Sequence, residues 1–190
     1  MANKDAAFGL KPIGKVGQNG DNQGLSEYSI AASASAIYQN DPVQMLNTGT
    51  IGVSNTSGNV LIGSLNGVFF TDASTSKPTY ANHLDASNTA TDIVGFVSDD
   101  PYERFEVQSD NTGASDQTDI GNCADLVYAA GAAPNYVSKA ELDDGTLTTL
   151  TAQLKIVGVS KDPENNALGS ANTNFVVTIN EHFLKAGAGI

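Results

Sequence analysis

The apolar residues of this sequence come in short runs, and turn-formers close them before a helix could establish itself. Val60-Leu61-Ile62-Gly63-Ser64-Leu65, Val68-Phe69-Phe70 and Ile93-Val94-Gly95-Phe96-Val97 are short, and most of their residues are β-branched, aromatic or glycine. Two further stretches alternate with period two. Over 148–159, Leu150, Ala152, Leu154 and Ile156 fall on one face and Thr149, Thr151, Gln153 and Lys155 on the other. Over 174–180, Phe175, Val177 and Ile179 share a face. The best helix candidate is only Ser138-Lys139-Ala140-Glu141-Leu142, where Ser138 and Glu141 have capping-box spacing. The pattern predicts a mainly β chain: an antiparallel β-sandwich or barrel-like domain over 26–190, an extended N-terminal arm over 1–25, and little helix.

Turn chemistry supplies the punctuation. Asn66-Gly67 stands between two apolar runs and predicts the tip of a two-residue hairpin, whose central residues need positive φ. Three of the six prolines follow Asp, at Asp41-Pro42, Asp100-Pro101 and Asp162-Pro163. Proline presets φ for a turn, and the preceding carboxylate bonds forward to the backbone, so these read as sheet corners. Residues 71–91 and 108–119 are rich in Ser, Thr, Asn and Asp and read as long loops.

A chain of 190 residues buries an adequate core without metals or disulfides. The single cysteine, Cys123, excludes an intrachain disulfide and has no histidine beside it, so it reads as a small packed residue. No apolar run approaches the length of a membrane span, and the first residues contain no secretory h-region. With 9 basic against 21 acidic side chains the net charge is −12, which argues against nucleic acid as a partner. The charge is uneven. Residues 1–20 carry Lys4, Lys11 and Lys15 against Asp5, a net of +2, and the remaining 170 carry a net of −14. Glycines interrupt the backbone of 1–25, yet Phe8, Leu10, Ile13 and Val16 are apolar teeth. Such a segment orders against a partner surface. Lys4, Phe8, Leu10, Lys11, Ile13, Lys15 and Val16 are therefore the expected contact residues, in an arm whose deletion would leave the domain folded.

Catalytic and cofactor motifs are weak. Gly9-Leu10-Lys11-Pro12-Ile13-Gly14-Lys15-Val16 mimics a phosphate-binding loop, but Val16 stands where a hydroxyl must reach Mg²⁺. His83 and His182 are isolated, no Gly-x-Ser-x-Gly elbow occurs, and the acidic loop at 110–121 breaks the EF-hand pattern at Ala114. Asp99-Asp100 and Asp143-Asp144 read as turn and solvent carboxylates. No catalysis, cofactor or metal is expected.

Several segments together resemble a family of small tailed-phage virion proteins, the head decoration, cement or capsid-associated proteins. They are the opening Met-Ala-Asn-Lys-Asp-Ala-Ala-Phe-Gly-Leu-Lys-Pro; Asp41-Pro42-Val43; Ile93-Val94-Gly95-Phe96 leading to Asp100-Pro101 and Phe105-Glu106-Val107-Gln108; and Gln153-Leu154-Lys155-Ile156-Val157-Gly158, then Asp162-Pro163-Glu164-Asn165 and Val177-Thr178-Ile179-Asn180-Glu181-His182. The resemblance implies a β-rich structural protein, made in the host cytoplasm, that binds the major capsid protein lattice on the virion exterior. It also implies a homo-oligomer, with a trimer favoured. The alternatives are a minor tail or head-fibre component, or a β-sandwich carbohydrate-binding module. The sequence has no Trp and shows no clear aromatic platform, which counts against the last.

Overall fold

The computed structural model describes residues 3–17, 24–110 and 112–185. Its strands are β1 (Lys11–Lys15), β2 (Ser26–Ser29), β3 (Pro42–Met45), β4 (Ile51–Val53), β5 (Gly63–Thr71), β6 (Pro78–Ala81), β7 (Val94–Ser98), β8 (Glu103–Gln108), β9 (Cys123–Ala124), β10 (Leu126–Val127), β11 (Glu141–Leu142), β12 (Leu154–Val159) and β13 (Asn174–Ile179). The fold is mainly β, and all its strand ladders are antiparallel. Helix among the described residues is limited to two single 3₁₀ turns, Gln117–Asp119 and Asp144–Thr146.

Two sheets carry the architecture. One has the order β1-β8-β13-β12-β9; the other has β2-β7-β5-β3-β4, with β6 also on β5. Each covers its own apolar cluster. Leu10, Phe105, Val107, Leu154, Ile156, Phe175, Val177 and Ile179 fill the first. Ile30, Val43, Ile51, Leu65, Val68, Ile93 and Val97 belong to the second. The chain passes between them at Leu61 and Ile62, neighbours in extended backbone whose side chains point apart, Leu61 into the first cluster and Ile62 into the second. The inward alternation of Phe175, Val177 and Ile179 is as expected, and Ala152, Leu154 and Ile156 are buried. The strand expected over 148–159, however, covers only Leu154–Val159: Leu150 is 75 % exposed, and Gln153 is buried, where its side chain accepts from Leu126 N and donates to Asn59 O.

The three Asp-Pro pairs play different parts. Asp100 Oδ1 accepts from Tyr102 N at 2.8 Å, and Asp162 Oδ1 from Glu164 N at 3.0 Å, the forward bonds expected of a turn. Asp100-Pro101 is where the chain leaves β7 in one sheet and enters β8 in the other. Asp41 bonds backward instead, accepting from Tyr38 N at 2.8 Å, and is fully buried with Pro42 opening β3.

Three local expectations are corrected. Asn66-Gly67 is no hairpin tip: it lies inside β5, at a bulge between Leu65 and Gly67 opposite β7. Glycine serves there for closeness, since a Cβ on Gly67 would come within 3.0 Å of Ala81 O. Residues 71–91, expected as one long loop, contain β6 and the real β5–β6 turn. Asp72 Oδ1 organises it, accepting from Ser74 N at 2.9 Å and Thr75 N at 2.8 Å. Ser138 starts no helix: its hydroxyl accepts from Ala140 N at 3.1 Å, and Glu141–Leu142 forms β11 with β10. Here tertiary pairing outweighs a local capping signal.

The N-terminal segment is extended, as expected, but the surface that orders it is the chain's own body. Asn3 Nδ2 donates to Ala167 O and Ala171 O, both at 3.0 Å. Gln108 Nε2 and Asn165 Nδ2 both donate to Lys4 O, at 2.9 and 2.7 Å. Leu10 N donates to Asn40 O at 2.9 Å, and Ser64 Oγ donates to Leu10 O at 2.6 Å. Residues 11–15 then add an edge strand to β8. Positions 1–2 and 18–23 of the expected arm lie outside the described residues.

Candidate functional site

Because β1 is built into the sheet, its side chains divide between interior and surface. Leu10 lies wholly in the core, so it serves the fold and has no surface to offer a partner. Pro12 pairs with Phe105 and Gly14 with Arg104, and the register shift between them turns Ile13 outward as the extra residue of a bulge. Ile13 is 38 % exposed and Val16 48 % exposed.

Ile13, Lys11 and Lys15 line a groove of about 590 Å³ on the outer face of the five-stranded sheet. Arg104 of β8 and Lys161, just beyond β12, complete a set of four cations there, against Glu106 and Asp162. Val159 and Val176 give the groove an apolar floor. Nearby, Val157 is 42 % exposed at the β12 bulge. Four of the chain's nine basic residues therefore share one apolar-floored face of a molecule of net charge −12.

The four cations are not equivalent. Lys15 Nζ sits 2.9 Å from Asp100 Oδ2, and that bond, followed by the Tyr102 amide, holds the Asp100 carboxyl below its ordinary value. Lys11 Nζ lies 3.5 Å from Glu106 Oε2 and 5.9 Å from the centre of the half-buried Phe8 ring. Arg104 and Lys161 make no ion pair among the described residues. They are the charges a ligand can engage without breaking an existing bridge. Lys4 lies apart from the groove and pairs with Glu164 at 2.5 Å.

The structure thus brings together Lys11, Ile13 and Lys15 of the expected contact set, and adds Arg104 and Lys161. Arg104 was readable from alternation: with Phe105 and Val107 inward, Arg104 and Glu106 face out. Lys161 carries no such signal, because the corner before Asp162-Pro163 sets its direction. The segment that mimics a phosphate-binding loop is strand β1, with Lys15 committed to Asp100. Among the described residues no group of three or more His, Cys, Asp or Glu is placed to hold a metal ion. No described helix is long and apolar enough to cross a membrane.

The fold and the groove define a mainly β protein of two antiparallel sheets with a basic outer face. Comparison with known proteins returns no match: no family model, no curated protein and no solved structure is similar to this chain.

Proposed function

We propose that the chain is a structural virion protein that binds the assembled head of a tailed phage and stabilises it, with no catalytic step. The observation that carries this reading is the cationic groove on the five-stranded sheet. It has an apolar floor and holds two cations, Arg104 and Lys161, that make no ion pair among the described residues. Such a surface suits docking on an acidic protein lattice: apolar burial supplies affinity and charge sets orientation and rate. The resemblance of the ordered segments to head decoration and cement proteins supports the same reading. Much of the resembling sequence builds this sheet, since it includes most of β8, most of β12 and part of β13.

Binding that requires neighbouring subunits of an assembled lattice, and not a free subunit, shifts the equilibrium toward the shell by mass action. A homotrimer at local threefold positions provides the repeated, symmetric contacts this needs. The test is co-sedimentation with DNA-emptied heads of the phage whose genome encodes the chain. Saturable binding to heads, with none to free capsid subunits, is the expected result. Failure to co-sediment at any salt concentration overturns the proposal.

A further inference from the structure

On the other sheet three aromatic rings stand on the solvent side. Phe69 of β5 lies directly opposite Tyr80 of β6 in the ladder, and Phe96 of β7 pairs with Gly67 of β5. Ring centres are 5.0 Å apart for Phe69–Tyr80 and 6.3 Å for Tyr80–Phe96, the latter pair nearly parallel at 19°. Tyr80 is 74 % exposed, an unusual position for so large an apolar surface. The row is invisible in the sequence because the rings come from three strands and meet only through register.

Beside Tyr80 and Phe96 runs a groove of about 330 Å³ with Gly67 in its lining and three amides along it: Gln39, Asn66 and Asn82. No residue lining it is charged, although the chain carries 21 acidic side chains. Asn82 is held in place. Its Nδ2 donates to Asn135 O at 2.9 Å, and its Oδ1 lies 3.0 Å from His83 Nδ1. His83 in turn stacks flat on Tyr136, with centres 3.8 Å apart. Asn66, on the β5 bulge, makes no side-chain hydrogen bond within the described residues, and Gln39 uses only its carbonyl oxygen. The groove therefore offers aromatic faces beside free amide donors and acceptors on a fixed backbone.

We propose that this groove binds a neutral saccharide, its C–H face on Tyr80 and Phe96 and its hydroxyls on Asn66, Asn82 and Gln39. The chemistry selects that occupant. A charged ligand would find no counter-charge in the lining. A purely apolar one would strand the amide of Asn66 and the Nε2 of Gln39, whereas Asn82 is already bonded internally and has only its oxygen to share. A sugar presents apolar C–H and polar O–H on different faces, which matches both sides of the groove. This inference is independent of the capsid reading, because it uses the other sheet.

The probe is saturation-transfer NMR with neutral oligosaccharides (maltotriose, cellotriose, mannotriose and N-acetylchitotriose), extended by a glycan array. At least one should show transfer with millimolar or tighter half-saturation. Tyr80→Ala should weaken it at least about tenfold, since stacking area is lost while the fold keeps its core. Asn66→Ala should weaken it less, and Arg104→Glu should leave it unchanged. Absence of binding across the panel and array overturns the proposal, as does full binding by a folded Tyr80→Ala protein. Loss of self-association in Tyr80→Ala without any sugar binding also overturns it, and makes the face an interface between copies.

Discussion

Gly9 and Leu10 decide whether the N-terminal segment belongs to the domain. Gly9 has φ +74°, and a Cβ there would come within 2.4 Å of Asn40 O and 2.5 Å of Ser138 Cβ. Gly9→Ala therefore meets both backbone strain and a backbone clash, and should cost about 2 kcal/mol or more in denaturant unfolding. Leu10→Ala empties a fully buried site and should cost about 2–5 kcal/mol, whereas Ile13→Ala, on the surface, should stay within about 0.5–1 kcal/mol. Both residues looked alike in the sequence, as apolar teeth on a glycine-rich thread. What separates them is the bulge that swings Ile13 outward, and no local signal announces it. On the docking face, Arg104→Glu with Lys161→Glu should leave melting unchanged and reduce attachment to heads by at least about tenfold, with less effect at high salt, because these cations make no ion pair among the described residues.

At the scale of elements, β1 is the edge strand of the five-stranded sheet, and that reverses the expected outcome of truncation. Removing residues 2–20 takes away Leu10, the β1–β8 ladder and the hydrogen bonds at Asn3 and Lys4. It also leaves β8 as a bare edge. The truncated chain should melt well below the parent or aggregate, as circular dichroism with light scattering will register; an unchanged melting curve would contradict the assignment. Strands with clean alternation, such as β12 and β13, were legible because one face is core and the other is not. The bulge at Asn66-Gly67 was not, because a hairpin tip and a tight strand crossing both favour glycine, and only the position of Ala81 distinguishes them. The basic groove was half legible: β1 announced its lysines by charge, but Arg104 and Lys161 join them only through sheet order and the Asp162 corner.

Across the whole molecule, acid carboxyls and the two faces set the behaviour. Burial, followed by nearby carboxylates, pushes Glu141 and Asp144 up to about 7, and burial pushes Asp41 up to about 6. Unfolded carboxyls release their protons near about 4, so between about pH 4 and 7 the folded chain holds protons that the unfolded chain has lost. Stability from these groups therefore falls as pH rises through that window. His182 acts oppositely: burial holds it near about 4, so its contribution rises between there and its ordinary value. Three carboxyls outweigh one imidazole, and above about pH 6.5 His182 no longer offsets them. The melting temperature should be higher near pH 5.5 than near pH 8, and Asp144→Asn should flatten the difference.

Which of the two faces meets the lattice can be seen directly in an electron cryo-microscopy reconstruction of heads decorated with the full chain. The outer face of the five-stranded sheet should lie against the lattice, with Arg104 and Lys161 at the contact and the Tyr80 row pointing to solvent. Density that seats the chain through the six-stranded sheet, or heads that remain bare at saturating protein, would contradict it.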